Sequence, residues 1–206
     1  MVSDAEEAAF ELAGSNFSFD IDSLVPWLDE AAHLWKDSHP DYLLATIKGS
    51  MILGASGFEA FVKSLVAIRD KEGKLAWGRI NDYQKAKDKL LAAWELDLDK
   101  ILLARQRADL RFLLCYRHVP VHLKDRPDDL FLGCVRLAYG EDAVREWNEG
   151  MDSETLRKGL TVQEGSRLLG VLKECGSAII DALAIKMGYP PGTKVAFRTN
   201  WGPAGE

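Results

Sequence analysis

The chain has 206 residues, of which 47% are hydrophobic and 28% are charged, proportions typical of a packed soluble protein. This length fits one domain with a core that needs neither disulfides nor a structural metal. The net charge of −6 disfavours a dedicated binder of duplex DNA, although a local basic groove remains compatible with it. The acidic N-terminus predicts neither a secretory signal nor a transit peptide, and charges interrupt the apolar stretches. We therefore expect a cytoplasmic protein with no membrane-spanning helix.

The first third of the chain contains two amphipathic patterns. The first predicts a helix over 23–35, with Ser23 as its N-cap and Pro26 in its first turn, where a missing N–H costs little. The second predicts a longer helix from the segment Ser38-His-Pro-Asp41 to about Lys71.

Small residues cluster inside the second predicted helix. A glycine in a helix interior costs about 1 kcal/mol relative to alanine, so a cluster of them needs a reason. A break in the helix is one interpretation. We favour a close approach by another helix, because the apolar spacing continues through the cluster. The small residues are Gly49, Ser50, Gly54, Ala55 and Gly57.

Further helical patterns fill the second half of the chain. The clearest start is the capping box Thr161-Val-Gln-Glu164, and residues after Pro190 are predicted to form a loosely held tail. No alternating run of β-branched residues is long enough to predict a sheet. The sequence therefore predicts an all-α fold in a single domain over 1–206, with its core over about 23–188. The predicted helices span 81–96, 98–115, 127–138, 141–147 and 161–187.

The three cysteines, Cys115, Cys134 and Cys175, are odd in number, widely separated and flanked by apolar residues. This distribution favours reduced thiols in the core over disulfides or a zinc site.

Two of the four histidines lie four residues apart in the segment Tyr116-Arg-His-Val-Pro-Val-His122. Helical residues at this spacing share a face and could bind a metal. Pro120 lies between them, however, and no third ligand follows at zincin spacing, so we expect no metal. The ordinary interpretation of an isolated Arg-x4-His pattern is a surface arginine beside histidines that bond backbone carbonyls at a helix end.

Three features of the sequence, in their order along the chain, resemble the HEPN-like family, in particular the RiboL-PSP-HEPN type of helical ribonuclease. Arg117-His118-x-x-x-His122 matches the family's Arg-x4-to-6-His motif, with a polar residue after the arginine. The stretch 101–115 resembles the leucine-rich helix that leads into that motif, and 50–62 resembles the family's small-residue helix. The likeness covers roughly 41–138 and implies a HEPN-like helical bundle with extra terminal helices. Pro120 departs from the family pattern, in which this segment often continues as a helix.

The resemblance implies a metal-independent endoribonuclease, in which a ribose 2′-hydroxyl attacks the adjacent phosphate and leaves a cyclic phosphate end. His122 would transfer protons, and Arg117 would hold the phosphate and stabilise its extra charge. His118 would help either residue. Glu59 would orient Arg117 or a histidine, although it could equally be a satisfied polar residue on a helix edge.

One chain supplies a single Arg–His pair, whereas acid and base catalysis needs two proton-transfer groups. HEPN proteins commonly solve this by dimerising, so the resemblance implies a homodimer with RNA as its substrate. It also implies a toxin or defence component with an antitoxin or regulatory partner, without a cofactor and without membrane contact. The alternatives are a non-catalytic module that binds RNA, a nucleotide or a protein partner, and an unrelated bundle with an accidental motif. We favour the nuclease.

Overall fold

The computed structural model describes residues 4–70, 80, 82–117, 129–149 and 160–190. The regular structure within these ranges is entirely helical, which confirms the predicted all-α class. The helices are α1 (Asp4–Trp35), α2 (Pro40–Arg69), α3 (Tyr83–Trp94), α4 (Leu98–Ile101), α5 (Ala104–Tyr116), α6 (Asp129–Tyr139), α7 (Glu141–Glu149) and α8 (Val162–Lys186).

Helix α1 begins nineteen residues before the predicted start at Ser23, at Asp4, and Pro26 lies in its interior rather than in its first turn. The reason is a continuous apolar face. Phe10, Phe17, Ile21 and Leu28 recur at helical intervals and are all buried, so packing stabilises helix on both sides of the expected boundary. The prediction of a start at Ser23 was wrong because it relied on local start signals.

Three long helices form the centre of the bundle. Helices α1 and α2 are antiparallel. Arg69 at the end of α2 pairs with Glu6 at the start of α1, with 3.8 Å between Nε and Oε1. Helix α8 packs against both of them. Its side chains and those of α1 and α2 belong to one connected core of buried apolar residues.

Helix α2 is long and apolar enough to span a membrane by length and composition, contrary to the expectation that charge interrupts every apolar stretch. Half of the most apolar part of this helix is buried inside the protein. Met51, Ala55 and Phe58 have no exposed surface. The observed burial is that of a helix at the centre of the fold.

The small-residue cluster of α2 contacts α8 at Gly54. A Cβ atom added to Gly54 would lie 2.6 Å from Leu169 Cδ2 and 3.0 Å from Leu172 Cδ1. The predicted close approach therefore occurs at Gly54. It does not occur at Gly49, where an added Cβ would have no neighbour within 4 Å.

A second layer consists of α5, α6 and α7. Phe112 of α5 contacts the rings of Phe131 and Tyr139 of α6 and of Trp147 of α7, at centroid distances of 5.9, 5.0 and 6.1 Å. Tyr116 extends this aromatic cluster by one helical turn. The end of α5 is thereby fixed against both neighbouring helices.

The single helix predicted over 98–115 is divided into α4 and α5, with Leu102 and Leu103 in extended conformation between them. Polar side chains stabilise the break. Gln106 accepts the Leu103 N–H at 2.9 Å, and Arg107 donates to the carbonyls of Asp99 and Leu102 at 2.6 and 3.0 Å. Backbone groups that a continuous helix would have paired are satisfied by these bonds.

The remaining boundaries lie close to the predicted ones. Asp82 caps α3 by accepting the Lys85 N–H at 2.8 Å, and α3 ends where Glu95 takes a left-handed conformation. Thr161 caps α8 by accepting the Glu164 N–H at 3.1 Å, as predicted. The predicted tail after Pro190 lies outside the described residues.

Candidate functional site

Arg117 lies directly after the last residue of α5, where its N–H still donates to the Leu113 carbonyl at 3.2 Å. Its guanidinium turns towards α2, and Nη1 donates to Oε2 of Glu59. The two side chains are only 12% and 10% exposed. The structure thus brings together two of the four candidate site residues, from segments that are 58 residues apart.

Glu59 is bonded from three directions. Besides Arg117, it accepts the Ile80 N–H at 3.1 Å and the Lys63 ammonium at 2.7 Å. Burial raises the pKa of the Glu59 carboxyl, but the hydrogen bonds from Lys63, Arg117 and Ile80 outweigh burial and leave the pKa below its usual value. Glu59 is therefore a fixed anion at neutral pH, suited to holding a cation and unsuited to transferring a proton.

The other two candidates, His118 and His122, lie outside the described residues, as does Pro120. The histidines that are described lie elsewhere. His33 is in the last turn of α1, and His39 precedes α2 and stacks on Tyr42 at 5.3 Å. Twenty residues of helix separate His39 from Glu59, which is about 30 Å. Among the described histidines, His39 is therefore too far from Glu59 to join the site of Arg117.

An open cleft of about 430 Å³ lies between the start of α3, the outer face of α5 and the apolar stripe of α6. Arg111 lies in it with its guanidinium 4.6 Å from the Tyr83 ring centroid, while Asp82 and Asp129 contribute acidic groups. Cys115 and Cys134 lie in its wall. The cleft therefore carries mixed charge and borders the turn of α5 that precedes Arg117.

Sequence reasoning missed a buried ionic network between α5, α6 and α8. Asp109 is only 1% exposed, and its two oxygens accept bonds of 2.6 and 3.0 Å from Arg167. Arg167 also binds Glu164, which accepts the Tyr139 hydroxyl at 2.6 Å. A signal was present, because Asp109 occupies the same helical face as buried Phe112 and Leu113, and a carboxylate on such a face requires a cationic partner.

Three groups of this network, Arg167, Glu164 and Tyr139, are each held in one charge state. The hydrogen bonds that Arg167 donates to Glu164 and then to Asp109 raise the pKa of Arg167, while Glu164 has a lowered pKa because its bonds from Arg167 and Tyr139 outweigh burial. Burial, followed by the bond to Glu164, raises the pKa of Tyr139. These groups do not titrate near neutral pH. The network fastens α5 and α6 to α8, and we assign it no proton-transfer role.

A smaller ionic cluster lies on α3 and α4. The sequence alone predicts that Asp97 and Asp99 are helix-end and surface charges and that Lys87 belongs to a solvated face. Asp97 does cap α4, but Asp99 accepts the Tyr83 hydroxyl at 2.7 Å and a bond from Lys87. The interpretation of Lys87 as merely solvated was wrong, because its ammonium pairs with both Asp97, at 3.5 Å, and Asp99.

Among the described residues, no three His, Cys, Asp or Glu side chains converge in a way that could hold a metal ion. What the described part of the site offers is a buried carboxylate between two cations, beside the segment with two histidines. Comparison of the chain with protein-family models, with curated proteins and with solved structures gives no match.

Proposed function

We propose that the chain is a metal-independent endoribonuclease of the HEPN type, which cleaves RNA by attack of a 2′-hydroxyl on the adjacent phosphate. One observation carries the proposal. Arg117, at the start of the histidine-containing segment, contacts Glu59 of the small-residue helix α2. Both segments carry the motif resemblance, and their polar residues form a single buried pair.

The charge balance at this pair suits a phosphate ligand. Lys63 and Arg117 contribute two positive charges and Glu59 one negative charge, so the cluster keeps one net positive charge. A guanidinium has five N–H donors, and the bond to Glu59 uses one of them. Arg117 can therefore bind a phosphate oxygen while Glu59 holds it in place.

Proton transfer is assigned to His122. The ordinary imidazole pKa of about 6.5 allows both protonation states at neutral pH, so one histidine can take the 2′-hydroxyl proton and another can protonate the leaving 5′-oxygen. His118 assists in orienting the phosphate. Since each chain contributes one such pair, we propose that a homodimer places two pairs in a shared cleft.

An endoribonuclease without a metal requirement has no metal-dependent control of its activity. We therefore further propose a cytoplasmic toxin or defence component that is restrained by an antitoxin or regulatory protein.

The test is incubation of purified protein with single-stranded and structured RNA in the presence of a metal chelator. We expect cleavage that leaves cyclic phosphate ends. Arg117→Ala and His122→Ala should each reduce the rate about 100-fold or more, because each removes a group that acts in the transition state. Arg117→Lys should also be impaired, since it keeps the charge but loses the planar fork.

Arg145→Ala and His33→Ala are the matched controls, because both residues are exposed on other helices and should leave cleavage unchanged. Circular dichroism verifies that each variant is folded. RNA binding without turnover in the wild type would favour the non-catalytic binding module instead. Full activity of both Arg117→Ala and His122→Ala would overturn the assignment of the motif.

A further inference from the structure

Cys115 and Cys134 are neighbours in space although they lie on different helices. Cys115 is in the last turn of α5 and Cys134 is in the middle of α6, and their Sγ atoms are 2.9 Å apart. Each residue is 6% exposed, and both lie in the wall of the open cleft beside Arg111 and Gly133. The sequence pattern did not predict this contact, because the pair is not of the Cys-x-x-Cys type.

We propose that Cys115 and Cys134 form a reversible redox site, in which a hydroperoxide converts the two thiols into a disulfide that joins α5 to α6. A disulfide needs an S–S distance of about 2.05 Å, so the two sulfur atoms must approach by less than about 1 Å. Helices α5 and α6 already pack against each other through Phe112, Tyr116 and Phe131. The bond therefore requires a shift of side chains rather than a rearrangement of the helices.

The reaction balances without a metal. One thiolate attacks the peroxide, forming an S–O bond as the O–O bond breaks, and water leaves. The second sulfur then attacks the sulfenic sulfur, forming the S–S bond, and the hydroxyl leaves as a second water with the remaining proton. Two electrons pass from the two sulfur atoms to the peroxide, so two thiols and one hydrogen peroxide give one disulfide and two waters.

Cys175 is an internal contrast to this pair. It is fully buried on α8, and burial, with Glu174 and Asp109 nearby, raises the pKa of its thiol to about 12. The thiolate is the form that reacts with peroxide, so Cys175 should remain reduced under conditions that oxidise the pair.

The position of the pair gives the disulfide a structural consequence. It closes a covalent ring over 115–134, which contains Arg117, His118 and His122. In the unfolded chain this ring removes conformational freedom from the segment, so oxidation should stabilise the folded state. The inference rests on the sulfur geometry and does not depend on nuclease activity.

The test treats the folded, full-length chain with hydrogen peroxide, alkylates the remaining thiols under denaturing conditions and maps tryptic peptides by mass spectrometry. The three cysteines fall in three different peptides, 112–117, 125–136 and 174–186. We expect the first two to be joined, two hydrogens lighter than their sum and separable by dithiothreitol. The third should be alkylated. The proposal is overturned if both peptides of the pair are found alkylated, or if either is joined to 174–186.

Thermal unfolding provides the second measurement. Oxidation should raise Tm by about 5–10 °C, and reduction should reverse the rise. Cys134→Ala should abolish the redox-dependent shift, whereas Cys175→Ala, the matched control, should retain it whatever its own effect on Tm. A joined peptide with the same Tm in both redox states would overturn the stabilising role.

Discussion

At the scale of single residues, Glu59 illustrates how a buried charge is kept. Its carboxylate lies among apolar residues of α2, yet it accepts bonds from a backbone N–H, an ammonium and a guanidinium. Removal of one partner lowers the stability of the fold by more than the intact pair contributes to it, because the remaining charge stays buried without a partner. Glu59 therefore ties the position of Arg117 to the stability of the fold.

This coupling predicts a pH effect. The pKa of Glu59 in the folded protein lies below the unfolded value of about 4.3, so its stabilising contribution is present above that value and is lost as the pH falls through the folded pKa. Glu59→Gln should lower the free energy of unfolding by about 1–3 kcal/mol at pH 7, because the substitution removes hydrogen bonds to a charged carboxylate. The difference from wild type should shrink between pH 5 and pH 3.

Urea denaturation at a series of pH values measures this difference. Glu30→Gln, at an exposed position of α1, is the control that removes a carboxylate without removing this cluster. If the Glu59→Gln and wild-type curves ran parallel from pH 7 to pH 3, the linkage between Glu59 ionisation and folding would be refuted.

The candidate site was only partly predictable from residues. Arg117 and Glu59 were selected through the order of motifs along the chain, whereas their contact depends on how α5 crosses α2, which no local pattern specifies. Asp109 was missed although its helical face is apolar, because its partner Arg167 is 58 residues away. The packing of the helices determines which charged residues of distant segments come into contact. Composition alone does not predict these pairs.

At the scale of elements, the approach of α8 to α1 depends on a missing side chain. A Cβ at Gly176 would overlap the ring of Phe17, which is itself stacked on Phe61 with centroids 4.6 Å apart. Phe17 is only 3% exposed and also contacts the ring of Phe58, with centroids 5.9 Å apart. Close packing of this kind fixes one register between the helices.

We predict that Gly176→Ala lowers the free energy of unfolding by about 1–3 kcal/mol, because overpacking outweighs the gain in helix propensity. Gly170→Ala is the matched control on the same helix. Its added Cβ would have no neighbour within 4 Å, so it should raise stability by up to about 1 kcal/mol. Denaturant unfolding of both variants checks the pair, and equal effects of the same sign would contradict the role of the α1–α8 contact.

The helices themselves were predictable where capping and periodicity agreed. Thr161 and Glu164 gave the start of α8 correctly. The start of α1 and the break between α4 and α5 were not predictable from local signals. In α1, tertiary burial of Phe10 and Phe17 overrides the cap signal at Ser23. Between α4 and α5, the bonds of Arg107 and Gln106 stabilise an extended link whose leucines would suit a helix equally well.

At the scale of the whole molecule, Arg117 lies at the junction of the two layers of the bundle. Arg117 is anchored to α2 in the central layer, and the turn of α5 before it is fixed to α6 and α7 through aromatic contacts. The residue at which the segment begins is therefore attached to both layers. A second subunit related by two-fold symmetry would bring an identical segment, as the proposed two-sided cleft requires.

The proposed shared cleft makes a quantitative prediction for mixed dimers. If one functional motif from each subunit is required, a dimer of one wild-type and one His122→Ala subunit is inactive. Random reassociation of equal amounts then leaves about one quarter of the wild-type activity, because only that fraction of dimers has two intact motifs. Independent subunits would leave about one half of the wild-type activity.

Co-refolding the two chains, followed by the RNA cleavage assay, separates these values, and co-refolding wild type with Arg145→Ala provides the control that should retain full activity. Light scattering at micromolar concentration measures the mass independently of cleavage, and a monomer there would exclude a shared cleft.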